Sequence, residues 1–117
     1  MKDNNEKIGP NGGNVLLPTG ERVQWETARG GQSSLEIYNA SHRNELRVNI
    51  SGIANKLKAK LGEKEVEPNG RFTLRPNDSN HRYSVIGDFR GARVVVSNMT
   101  VRRNPADAQI DYDVPQD

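Results

Sequence analysis

The chain has 117 residues, 32% hydrophobic and 27% charged, with a formal net charge of +2, which suits one domain with a thin core. It contains no cysteine, so disulfides, thiolate metal sites and thiol nucleophiles are excluded. No apolar run approaches the roughly 20 residues needed to cross a bilayer, and the N-terminus lacks the apolar stretch of a signal peptide, so the expectation is a soluble chain of unassigned compartment.

Residues 1–14 hold only Met1 and Ile8 as sizeable apolar groups, among Gly9, Pro10, Gly12 and Gly13, and read as a flexible arm. The folded domain is expected over 15–103. Val15-Leu16-Leu17 is a short apolar run stopped by Pro18-Thr19-Gly20. From Arg22 to Thr27 the chain alternates, with Val23, Trp25 and Thr27 on one face and Arg22, Gln24 and Glu26 on the other. Leu35 and Ile37 repeat that rhythm. So do Leu46, Val48 and Ile50, with Arg47 and Asn49 facing out, and residues 40–45 would join these two strands as a hairpin.

The segment Ile53 to Leu61 fits two periods. Ile53, Leu57 and Leu61 recur every four residues, as on a helix, while Leu57, Ala59 and Leu61 alternate with lysines, as on a strand. The strand is preferred because the neighbours are strands. Pro68-Asn69-Gly70 marks a turn, and Arg71 to Arg75 alternates up to Pro76. Tyr83–Ile86 and Ala92–Met99 are expected to form a second hairpin across Gly87-Asp88-Phe89-Arg90-Gly91. Val94, Val95 and Val96 suggest a strand covered on both faces. The remainder, 104–117, is an acidic tail with Asp107, Asp111, Asp113 and Asp117. Its alternating Ile110, Tyr112 and Val114 would make one last strand at a sheet edge.

About eight short strands at regular turn spacing predict an all-β fold, an antiparallel two-sheet sandwich, with a small β-barrel as the alternative. The expected core includes Leu46, Val48, Ile50, Phe72, Leu74, Val94 and Val96.

Motifs for chemistry are sparse. His42 and His81 sit in separate loops with no neighbouring ligand pattern, and Asp111-x-Asp113 is read as a solubilising strand face in preference to a Ca²⁺ site. No metal or cofactor is therefore assigned. Ser41 beside His42 is adjacency in sequence only, and triads assemble in space. Glu63, Glu65 and Glu67 alternate, as paired acids of a glycosidase could, but read as an exposed acidic strand. Four Asn-x-Ser/Thr patterns start at Asn39, Asn49, Asn77 and Asn98.

Charge is uneven. Residues 42–103 carry thirteen Lys/Arg against six Asp/Glu, while 104–117 carry four acids and no base. The expected function is a non-catalytic binding or structural module, acting through a macromolecular contact, within a homo-oligomer or larger assembly. The partner is a protein or a second copy of the chain. A carbohydrate-binding module is the alternative, and a small hydrolase comes third. Nucleic acid is disfavoured, because the few aromatics sit at positions that also suit a core. The candidate partner contact is Phe89 with Arg90 and Arg93: an aromatic between two glycines, beside basic groups suited to an acidic partner. The competing view is that Phe89 plugs the end of the sandwich.

Overall fold

The computed structural model describes residues 12–27 and 29–113, together with the backbone of 8–9. Its strands are β1 (Ile8–Gly9), β2 (Gly12–Leu17), β3 (Arg22–Glu26), β4 (Ser33–Asn39), β5 (Leu46–Ser51) and β6 (Ala59–Leu61), then β7 (Lys64–Val66), β8 (Gly70–Leu74), β9 (Tyr83–Gly87), β10 (Arg93–Asn98) and β11 (Ala108–Asp113). Among the described residues one 3-10 turn covers Ser79–His81. The strands form two open sheets rather than a closed barrel. One has the order β1-β2-β11-β4-β9-β6-β7, the other β3-β10-β5-β8. All described pairings are antiparallel. The two-sheet sandwich expected from the alternation is the fold.

The wiring differs from the expectation. Only β1–β2 and β6–β7 are neighbours both in sequence and in a sheet. Nearly every other connection crosses the sandwich. Residues 40–45 lead from β4 in one sheet to β5 in the other, and 88–92 lead from β9 to β10 in the same way, so neither is a hairpin. Set aside β1 and the β6–β7 hairpin, and β2-β11-β4-β9 faces β3-β10-β5-β8. This is the order of a double-sheet jelly roll. Alternation tells which side chains face in, but an inward face is equally well buried whether the next strand pairs beside it or arches over to the opposite sheet.

Three boundaries move. β2 begins at Gly12, inside the expected arm, and Gly12 lies opposite Asp113 of β11. Residues 1–7, 10 and 11 of that arm lie outside the described residues. The expected strand over 53–61 is a strand only over 59–61. Before it the chain turns, with the Leu57 N–H donating to Ala54, and Asn69 binds both the N–H and the carbonyl of Ile53. β11 is no edge strand: it lies between β2 and β4 over six paired residues on each side. Its inward Ala108, Ile110 and Tyr112 are each 2% exposed or less, which explains why a stretch carrying two aspartates belongs in the middle of a sheet.

The core lies between the sheets. Leu46, Val48, Ile50, Leu74, Val94 and Val96 are all buried as expected. Phe72 is only partly buried and packs on Tyr83, with ring centroids 5.1 Å apart. Val95 points outward and is half-buried, so β10 is covered on one face only. Two buried asparagines fasten the crossings. The Asn98 amide donates to the carbonyls of Leu17 and Ala106, and the Asn39 amide donates to those of Asn44 and Leu74. Both begin glycosylation-like triplets, and both amides are consumed by the fold.

The jelly-roll wiring sorts the loops by end. Connections 18–21, 40–45, 75–82 and 99–107 gather at one end, tied by Thr19 to Ala106, Ala40 to Asp107 and Asn44 to Pro105. Residues 29–32 and connections 52–58 and 88–92 gather at the other, where Thr27 is tied to Ala92.

Candidate functional site

The connection 88–92 carries the expected contact residues, and it separates them. Phe89 is 1% exposed and turned into the core, 6.1 Å from the Tyr112 ring, which in turn meets Trp25 edge-on at 5.4 Å. Phe89 therefore plugs the end of the sandwich and offers no aromatic to a partner. Because 88–92 arches between sheets, its middle residue hangs over the core, whereas a hairpin tip would have projected away from it. Arg90 stays outside, in the left-handed region at φ 58°, with its N–H bonded to the Asp88 carboxylate. Arg93 stands on the outer face of β10, 3.1 Å from Glu26 on β3.

Arg93 leads to a larger feature. The outer face of the four-stranded sheet is left open by the described residues. Register places Arg22 of β3, Ser97 of β10, Asn49 of β5 and Arg71 of β8 in one row across it. At ordinary strand spacing this row sets the two arginines about 14 Å apart. Arg47 lies two residues from Asn49 on β5, opposite Thr73. Met99 follows β10 and is 56% exposed. A shallow groove of ≈ 330 Å³ runs between Arg47, Arg71 and Met99. Arg22, Arg47 and Arg71 are exposed and form no ion pair among the described residues. The described lysines, Lys56, Lys58, Lys60 and Lys64, all lie on or just before the β6–β7 hairpin at the edge of the other sheet. The open sheet face thus carries four arginines, Arg22, Arg47, Arg71 and Arg93, and none of the described lysines, while the other described arginines, Arg75 and Arg82 among them, lie outside its strands. The outward phase of Arg22 and Arg47 is legible in the alternation. The common row of Arg22 with Arg71 is not, because it depends on β10 and β5 being neighbours.

A second feature opens at the end where four connections gather. It is a cleft of ≈ 720 Å³ between residues 38–42 and 75–82. Arg82 lies over the Tyr38 ring at 4.4 Å and reaches Glu36 at 3.8 Å. The His81 Nδ1 accepts the Arg75 N–H at 2.8 Å, and the Asp78 carboxylate accepts the Asn80 N–H at 3.0 Å. Ser41, His42 and Asp78 line this cleft together, but no hydrogen bond joins them into a relay. Ser41 Oγ accepts the Asp107 N–H at 2.9 Å instead.

The remaining acidic candidates are dispersed. Glu63, Glu65 and Glu67 lie exposed on the outer hairpin, where Glu67 meets Lys58 at 2.6 Å and raises the lysine's proton affinity. Asp111 accepts from the Gln109 amide at 2.9 Å. Among the described residues no three His, Asp or Glu side chains converge as metal ligands.

No protein-family model matches the chain, and no curated protein does. Among solved structures it is similar to PliG of Aeromonas hydrophila, a periplasmic inhibitor of g-type lysozyme, at 11% identity and a TM-score of 0.44, over 92% of this chain and 95% of that one. It is also similar to a de novo designed double-stranded β-helix, at 13% identity and a TM-score of 0.35, over 88% of this chain and 99% of that one. At such values neither neighbour says what this chain binds.

Proposed function

We propose that the chain is a non-catalytic protein-binding module, and that it engages its partner over the outer face of the four-stranded sheet. The composition of this face carries this reading. Protein interfaces favour arginine and methionine and disfavour lysine, and this face carries Arg22, Arg47, Arg71, Arg93 and Met99 with no lysine. A guanidinium is planar, weakly hydrated and able to hold a carboxylate through two parallel bonds, so arginine suits a surface that must shed water on contact. The partner is a protein surface carrying carboxylates. Arg93 joins this contact directly, and Arg90 extends it from the turn before β10. A second copy of the chain is one such partner, because the opposite sheet bears Glu36, Asp111 and Asp113 on its outer face.

The test compares two triple variants with equal loss of charge. Arg22→Gln/Arg47→Gln/Arg71→Gln should abolish partner capture, or self-association measured by light scattering. Lys56→Gln/Lys58→Gln/Lys60→Gln should leave both intact. Equal loss in the two variants would reduce the effect to net charge and end the assignment of this face.

A further inference from the structure

We infer that the cleft between residues 38–42 and 75–82 is a binding site for an acidic saccharide, a ligand class and a place distinct from the arginine face. The volume, ≈ 720 Å³, falls in the usual range for ligand sites, roughly 300–1,000 Å³. Its walls carry the guanidinium groups of Arg75 and Arg82. Arg82 is already stationed: the Tyr38 ring lies beneath it and Glu36 touches it only at 3.8 Å, so most of its five N–H donors are unspent. Arg75 forms no ion pair among the described residues. The one carboxylate on the wall, Asp78, already accepts the Asn80 N–H.

The lining also includes Ser41, Asn77 and Ser79, whose hydroxyl and amide groups are neutral hydrogen-bonding partners. Ser41 Oγ accepts from Asp107, which leaves its own proton to donate. A site with two cations and several hydroxyl and amide partners fits a hydroxylated ring that carries a carboxylate. Guanidinium holds the carboxylate by charge-assisted bonds, and the neutral groups match ring hydroxyls.

The walls are also held before any ligand arrives. Asn39, 9% exposed, binds the carbonyls of Asn44 and Leu74 and accepts the Ser41 N–H, and so joins both sides of the cleft. His81 fixes the backbone at Arg75. A preformed site loses little conformational freedom on binding, which favours recognition of a small polar ligand.

The experiment is an NMR titration of the ¹⁵N-labelled chain with a trisaccharide ending in glucuronate, beside the matching neutral trisaccharide and inorganic phosphate. Saturable shifts at the amides of Ser41, His42, Asn77 and Ser79, with the neutral sugar and phosphate each weaker by about tenfold or more, are expected from the loss of charge-assisted or ring contacts. Arg75→Gln/Arg82→Gln should weaken the acidic sugar by about tenfold or more. Arg22→Gln/Arg47→Gln/Arg71→Gln should leave its affinity within about twofold. Absence of saturable shifts, a phosphate response equal to that of the sugar, or shifts centred on the arginine face would overturn the proposal. The last of these would leave the protein-binding reading standing, and loss of that reading would not touch the cleft.

Discussion

Tyr83 sets a phenol in the core with one partner, the Pro68 carbonyl, which accepts its proton at 2.8 Å. Burial pushes the phenol's acidity to a higher pH than the ordinary value of about 10. The neutral phenol is therefore favoured by folding. Its contribution is complete below pH ~10 and is lost as pH rises through the higher folded-state value. We expect stability to decline above pH ~10 in denaturant titrations, and Tyr83→Phe to flatten that decline. At neutral pH the same change should cost about 1–3 kcal/mol, because the Pro68 carbonyl would be left buried without a donor. Arg90 gives the opposite sign. Its φ of 58° is a conformation that costs an L-residue roughly 1–2 kcal/mol, and glycine would hold it without that strain. Arg90→Gly should raise stability by up to about 1 kcal/mol, part of the gain being offset by the freer unfolded chain. A loss of stability would show that the Arg90 side chain supports the turn.

Elements depend on one another through the crossings. Phe89 belongs to an arch, and Phe89→Ala should cost about 3–5 kcal/mol in equilibrium unfolding, since it removes a fully buried ring beside Tyr112. A change of a few tenths would mean that the ring is free at the surface after all. Asn98 is 1% exposed and joins β2, β10 and the approach to β11. Its amide serves Leu17 and Ala106, and its carbonyl oxygen accepts the Thr100 N–H. Asn98→Ala should cost more than about 2 kcal/mol, because two buried carbonyls and one N–H lose their partner together. Gly52 marks the crossing into the β6–β7 excursion. At φ 95° a side chain is strained, and its Cβ would run into the Arg93 carbonyl, so only glycine suits this close approach.

At the scale of the molecule, binding and stability are carried by different surfaces. The sheets hold through their inner faces, while Arg22, Arg47 and Arg71 lie exposed on the outer face. The triple Arg→Gln variant should therefore keep its melting transition, each site contributing within about 0.5 kcal/mol, while partner capture falls. Coincident loss of folding and binding would place these arginines in the support of the sheet. The capture itself should weaken as salt is added, because exposed charges are screened beyond about 10 Å at 0.1 M ionic strength.

Period-two alternation was enough to determine an all-β chain and the inward phase of β3, β4, β5 and β8. Side-chain direction along a strand is local, and burial demands it in any arrangement of the sheets. The aspartates of β11 misled for the same reason: they describe the outer face of a strand and say nothing of its neighbours. Partner choice is non-local. The return of β11 between β2 and β4, the arches that replaced the two expected hairpins and the inward turn of Phe89 all follow from contacts distant along the chain. Both proposed sites share that origin. Arg22, Ser97, Asn49 and Arg71 come from four strands spread from residue 22 to residue 97, and the cleft joins two loops on either side of β5 through β8. The sequence alone determined the inward and outward faces of the clearly alternating strands. The tertiary structure alone decided which of them stand together, because the pairing between distant strands sets the row and the end at which each side chain emerges.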